Sequence, residues 1–326
     1  MAHEFLLRYQ QDLLSRLSIA LEEVSQGSNS QGILLLGGSG VGKTHILDVA
    51  SSGFRSGKVG YQRHVPCCRV AADLKASAAT ICCSILERLG IPLSVSIKMK
   101  PNALEAEVFD AIVACQVRLL ILEELHNGIL ATSPQMRGQL SRFLKNLWNL
   151  SPTNSPHTWA HPDRERGDYR LVILASGTQE LRAAFDKKGE EELRSRFSCR
   201  VEAMKLSFEP PESFREFRGV LDAMIRRAGL GETISAADNE VASRALIACD
   251  GHLRILELLL QRSATLLRKA VEQPPPLDLL ARAFDEVGGG DCPQSNAFRW
   301  STAEVAAYIK RGRINQRIHD AKTSAK

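Results

Sequence analysis

Gly32-Ile33-Leu34-Leu35-Leu36-Gly37-Gly38-Ser39-Gly40-Val41-Gly42-Lys43-Thr44-His45-Ile46-Leu47-Asp48-Val49-Ala50 changes character twice along its length. The apolar run 33–36 reads as a buried strand, 37–42 as a glycine-rich loop, and Ile46, Leu47 and Ala50 stand at helical spacing. Residues Gly37, Gly38, Ser39, Gly40, Val41, Gly42, Lys43 and Thr44 fit G-x-x-x-x-G-K-[ST]. Glycines let backbone N–H groups turn inward around a phosphate without a Cβ in the way. Lys43 is placed to reach the β and γ phosphates, and the Thr44 hydroxyl to ligate Mg²⁺. The following helix points its positive end at the same anion. The expected ligand is therefore ATP with Mg²⁺.

Downstream, Leu119-Leu120-Ile121-Leu122 runs into Glu123 and Glu124. A continuous apolar run that ends in carboxylates describes a parallel strand, buried on both faces, whose tip delivers acids to a site. In that order Glu123 is the metal-side residue, and Glu124 is the base that polarises an attacking water. A further buried strand is expected over 169–175 and ends at Ser176-Gly177-Thr178, a small polar group suited to the γ-phosphate or its water.

Between these strands the apolar spacing predicts helices over 5–25, 77–89, 103–114 and 135–150, and a further strand over 65–70 interrupted by Pro66. Asn102 with Glu105 reads as a capping box for the third of these helices. Residues 94–102 read as an exposed basic loop whose Lys98 and Lys100 are candidate DNA contacts, and 151–168 as a long surface loop. From about residue 206 strand–helix alternation stops, and four helices follow, over 212–228, 236–248, 252–271 and 277–287. The expected fold class is α/β: a P-loop core with a parallel sheet flanked by helices, then a smaller all-helical lid. The expected divisions are 1–31 (helix and linker), 32–205 (nucleotide domain), 206–287 (lid) and 288–326 (glycine hinge, a short helix over 302–310 and a basic tail).

Composition sets the remaining bounds. The chain has 326 residues, of which 44% are hydrophobic and 24% charged, an ordinary globular balance. No run approaches the apolar length of a membrane helix, and the first residues lack a secretory apolar core, so a cytoplasmic protein without a membrane partner is expected. Eight cysteines without a C-x-x-C pair fit reduced core thiols. The net charge of +5 is concentrated in 310–326, where six basic residues face one acidic residue. Such a tail suits a polyanion or an acidic partner.

Taken together, these landmarks resemble an AAA+ ATPase, and more narrowly the TniB/TnsC family of transposition ATPases. In that resemblance residues 37–44 stand as Walker A, 119–127 as Walker B, and Ser176-Gly177-Thr178 as sensor 1, with Thr178 in the site. Residues 193–197 match the arginine-finger box, in which Arg196 fits best and Arg194 is the alternative. Gly251-His252-Leu253-Arg254 matches the sensor-2 pattern, with Arg254 as its arginine. The Glu-Glu-Leu-His-Asn ending at 123–127 and Leu86-Glu87-Arg88-Leu89-Gly90-Ile91-Pro92 narrow the likeness to TniB/TnsC. Glu123 departs from the Asp usual in that family, which implies slower hydrolysis. The resemblance implies a homo-oligomer, ring or filament, on double-stranded DNA, linking a TniQ-type target-selection protein to a DDE transposase. Two other readings remain open on the residues: a signalling-type NTPase switch that assembles proteins without DNA, and a helicase-loader-like ATPase.

Overall fold

The computed structural model describes residues 5–60, 62–72, 76–130, 133–148, 169–287 and 295–312. The expected surface loop over 151–168, the glycine hinge 288–290 and the tail beyond 312 lie outside them. The described residues fall into two compact units, one holding residues 9–38 and 43–203, the other residues 5–8, 39–42 and 204 onward.

The first unit is built on a five-stranded parallel sheet in the order β4-β5-β6-β1-β7. Its strands are β1 (Gln31–Gly37), β4 (Cys67–Ala71), β5 (Leu119–Glu123), β6 (Val172–Gly177) and β7 (Cys199–Ala203). The three inner strands β5, β6 and β1 are almost wholly buried along their length, the signature of a sheet covered on both faces. Edge strand β7 carries Arg200 and Glu202 between its buried Val201 and Ala203, as a one-sided edge requires.

Helices α1 (Arg8–Ser25), α2 (Lys43–Ser52), α3 (Ala78–Leu89), α4 (Leu93–Ser96), α5 (Pro101–Ala114), α6 (His126–Leu130), α7 (Pro134–Asn146), α8 (Gln179–Phe185) and α9 (Glu191–Arg196) join the strands. Leu120, Leu122 and Ile173 from the sheet pack in one core with Ile85 of α3, Ile112 of α5 and Phe143 of α7. Ser77 caps α3 through a reciprocal bond with Thr80, and Gly90 ends it at φ 104°, a left-handed conformation that glycine adopts without steric cost.

Three local expectations change. The strand expected from residue 65 begins at Cys67. Pro66 stands before it and offers only its carbonyl, which accepts from Arg118 N and Leu119 N (2.9 and 3.0 Å), so the missing N–H costs the ladder nothing. The short antiparallel pair β2 (Gly57–Val59) and β3 (Gln62–His64) precedes it. These strands are too short for hydrophobic periodicity to announce them. Helix α5 starts two residues before the expected capping box: Lys100 is its N-cap and Pro101 takes N1, where a proline loses no hydrogen bond.

The second unit is helical: α10 (Pro211–Arg227), α11 (Asn239–Cys249), α12 (Leu253–Lys269), α13 (Pro276–Val287) and a 3₁₀ turn at Ala297–Arg299, with helix again over 302–312. Asp238 caps α11 by accepting from Glu240 N at 2.8 Å. The buried Arg244 pairs with Glu240 (2.6 Å) and donates to the carbonyls of Ala297 and Trp300 (2.7 and 2.5 Å), which ties residues 297–300 to α11. Among the described residues seven cysteines are free thiols, and burial raises those of Cys67, Cys68 and Cys249 to about 11, 12 and 12, which leaves them unreactive near neutral pH. Among the described residues no helix is long and apolar enough to cross a membrane.

Candidate active site

Parallel register brings four strand tips together. Leu36 stands beside Gly177, Leu122 beside Ala175, and Ala71 beside Glu123, so the ends of β1, β6, β5 and β4 form one edge of the sheet. That carboxyl edge is where open α/β sheets bind ligands.

At the end of β1 the chain passes through Gly40 and Gly42 at φ 74° and 96° before α2 begins at Lys43. The Lys43 ammonium is buried and donates to the carbonyls of Gly37 and Gly38, both at 2.8 Å. Burial lowers its pKa, and the Glu124 carboxylate, 3.8 Å away, partly restores it. Thr44 is exposed on the first turn of the same helix.

Glu124 lies just past β5 in the left-handed region, at φ 51°. A residue with a Cβ holds that conformation at a cost of roughly 1–3 kcal/mol, and such outliers concentrate at functional sites. The neighbouring strand supports the bend: Leu125 N donates to Ser176 O at 2.9 Å, and Glu124 N approaches Ser176 Oγ at 3.4 Å. The Glu124 side chain, about two-fifths exposed, stands between Lys43 and His126, whose buried Nδ1 is 3.5 Å from Oε2. Asn127 anchors the other side of the turn by donating to Ala72 O at 3.1 Å. Thr178 N-caps α8 without a side-chain cap bond, and its hydroxyl oxygen is buried at the β6 tip. Gly177 keeps this corner open, because a Cβ there would meet Leu181 at 2.9 Å and His126 Nδ1 at 3.3 Å.

Glu123 is differently placed. Its carboxylate is mostly buried and ion-paired with Arg69 of β4, which also reaches Asp48 of α2 at 2.5 Å. Arg69, Asp48 and His126 are the residues around this edge to which the sequence reading gave no role. The available signal was one arginine inside the otherwise apolar strand Cys67-Cys68-Arg69-Val70.

The remaining expected residues are dispersed. Arg196 pairs with Glu192 at 2.6 Å, donates to the Lys145 carbonyl and lies 5.6 Å over the Trp148 ring, so its guanidinium is engaged within its own chain. Arg194 is exposed on α9. In the second unit, which includes loop residues 39–42, Gly40 O accepts from Leu253 N at 2.9 Å and Ser39 O lies 3.1 Å from His252 Nδ1. Arg254 follows on the first turn of α12 with its side chain exposed. Lys98 and Lys100 are exposed next to the similarly exposed Leu93, Val95 and Ile97.

Residues 2–152 match the family model described as the bacterial TniB protein. That match spans somewhat less than half of the chain. No curated protein sequence matches it. Solved structures reproduce the architecture. The Aeropyrum pernix ORC2 protein, solved with ADPNP and ADP, superposes with a TM-score of 0.63 at 16% identity, covering 89% of this chain and 71% of that one. Cdc6p of Pyrobaculum aerophilum gives 0.58 at 14% identity, with 88% and 70% covered. The Aeropyrum pernix ORC1 protein in complex with DNA gives 0.56 at 13% identity, with 87% and 66% covered. The fold of this chain is thus the AAA+ fold.

The residues present fit a magnesium nucleotide. The glycine loop offers positive-φ turns, the buried Lys43 ammonium donates to the loop carbonyls, and the Thr44 hydroxyl and Glu123 carboxylate are oxygen donors of the hard kind Mg²⁺ prefers.

Proposed function

We propose that this chain is an ATP-dependent transposition regulator. It binds ATP at residues 37–44, hydrolyses it, and assembles as a homo-oligomer on duplex DNA, where it links a TniQ-type target-selection protein to a DDE transposase. The observation that carries the reading is the placement of Glu124 within reach of Lys43 at the shared tips of β1, β5 and β6, in a chain whose residues 2–152 match the TniB family model. Support for nucleotide and DNA comes from the relatives of like fold solved with ADPNP, ADP and DNA. The free, buried thiols suit the cytoplasm.

In this reading Lys43 leaves the loop carbonyls for the β and γ phosphates. Glu124 accepts a proton from the attacking water, and Thr178 orients that water or the γ-phosphate. Thr44 and Glu123 would hold Mg²⁺, which neutralises charge on the phosphate oxygens. Arg254 is the sensor-2 candidate that the resemblance implies, and Arg194 of a neighbouring copy reaches the γ-phosphate. Arg194 is preferred to Arg196 because it is exposed, whereas Arg196 is occupied by Glu192, Lys145 and Trp148.

Phosphate release measured with and without duplex DNA tests the reading. DNA-stimulated hydrolysis is expected; hydrolysis indifferent to DNA would favour a protein-only switch. Lys43→Ala removes the buried cation that donates to the loop carbonyls. Truncating a buried charge partner costs about 2–5 kcal/mol, roughly 30- to several-thousand-fold in affinity, and a fluorescent ATP analogue should report that loss. Unchanged binding would remove the loop from the site. If Lys98 and Lys100 touch DNA phosphates, replacing both by alanine should flatten the slope of log affinity against log salt by about 1.8. An unaltered slope would assign them to solvent.

A further inference from the structure

Arg69, Glu123 and Asp48 form a chain of charge that crosses from the sheet to the helix of the nucleotide loop. Arg69 pairs in register with Ile121, two residues before Glu123, so Arg69 and Glu123 project from the same face of the sheet. The side chains of Arg69 and Glu123 are 17% and 14% exposed, whereas Asp48 is 62% exposed. The guanidinium Nε donates to Glu123 Oε1, and Nη1 donates to Asp48 at 2.5 Å with Ser51 Oγ at 3.5 Å. Asp48 stands one helical turn after Thr44 on α2.

A buried carboxylate next to an arginine is often only a structural pair. Here the pair joins the two elements that carry the two expected metal-side oxygens, the Thr44 hydroxyl on α2 and the Glu123 carboxylate on β5. A planar guanidinium with donors on two edges fixes both partners in direction as well as distance, which a lysine would not do. It occupies Oε1 of Glu123 and leaves Oε2 as the acceptor available to a hydrated cation. The Glu123 side chain reaches across to Arg69 of β4.

We infer that Arg69, itself anchored by Asp48, is a positioning residue that sets Glu123 against Thr44 for Mg²⁺, so that the metal dependence of nucleotide binding is tuned from β4. The inference rests on the magnesium nucleotide reading above and adds to it a residue outside the recognised motifs. Partners that orient metal-side ligands typically contribute 10–100-fold to metal affinity or activity.

The test is a Mg²⁺ titration of the binding of a slowly hydrolysed fluorescent ATP analogue to the full chain, repeated in EDTA, for wild type, Arg69→Met, Arg69→Lys, Asp48→Asn and Glu123→Gln. Arg69→Met should raise half-saturating Mg²⁺ 10–100-fold while metal-free binding stays within twofold of wild type. Arg69→Lys should recover part of that loss, and Asp48→Asn should give a smaller rise. In the Glu123→Gln background, Arg69→Met should add little, because the carboxylate it orients is already gone. Half-saturating Mg²⁺ that is unchanged or lowered in Arg69→Met would overturn the inference, the lowered value showing that Arg69 competes with the cation. If Arg69→Met does not fold, Asp48→Asn decides, since its exposed site tolerates the isosteric change. Wild type that binds no nucleotide with or without Mg²⁺ overturns the underlying reading, and this inference with it.

Discussion

Arg194→Ala is expected to lower ATP turnover by about 10³–10⁵, the range over which an arginine finger contributes, while nucleotide binding by the isolated chain remains intact. The size follows from geometry and charge: a finger meets charge that develops on the γ-phosphate in the transition state, and it acts on a neighbour's nucleotide. Arg194 is exposed on α9 and available for that contact. Arg196→Ala makes a contrasting expectation. Its guanidinium bridges Glu192 and the Lys145 carbonyl over Trp148, so its loss should lower stability by about 1–3 kcal/mol, visible as a reduced Tm. Mixing Arg194→Ala with Glu124→Gln distinguishes a finger in trans from a folding defect. Mixed oligomers regain activity where a copy with its base intact faces a neighbour with its finger intact. If Arg194→Ala turns over ATP at the wild-type rate while stably folded Arg196→Ala does not, the finger is Arg196.

The second large effect belongs to Glu124. Glu124→Gln keeps the size of the side chain and its ability to accept a hydrogen bond, but it cannot take a proton, so turnover should fall by about 10²–10⁴. In the proposed reading binding rests on Lys43, Thr44 and the glycine loop, so it should survive. The variant should then persist on DNA in the ATP-bound form, because hydrolysis is what dismantles the assembly in this account. Phosphate release and the lifetime of DNA-bound protein measure the two halves separately. Wild-type turnover in the variant would move the base elsewhere, His126 being the nearest alternative on Glu124's own turn.

The parts of this molecule that follow a strong periodic or covalent rule could be read before any coordinates. Residues 33–36, 119–122 and 172–175 are continuous apolar runs because both faces of a parallel sheet are covered, and each became an inner strand. The glycine–lysine–threonine loop announced itself because few residue types tolerate its turns. Contacts that depend on two distant segments left weaker traces. Nothing local in Arg69 says that it meets Glu123 and Asp48, since that meeting needs the β4–β5 register and the packing of α2 at once. Likewise the finger box contains two arginines separated only by Ser195, and the position of Trp148 and Lys145 shows which guanidinium is already engaged. The start of α5 was misread by two residues because Asn102 and Glu105 carry a capping signature that Pro101 at N1 overrides.

Electron microscopy of the purified chain with duplex DNA, in the presence of ATP and separately of ADP, tests the central claim most directly. The account predicts regular multi-subunit assemblies on DNA with ATP, lost with ADP and stabilised by Glu124→Gln. Single copies under every condition, or identical assemblies that form without DNA, would contradict it.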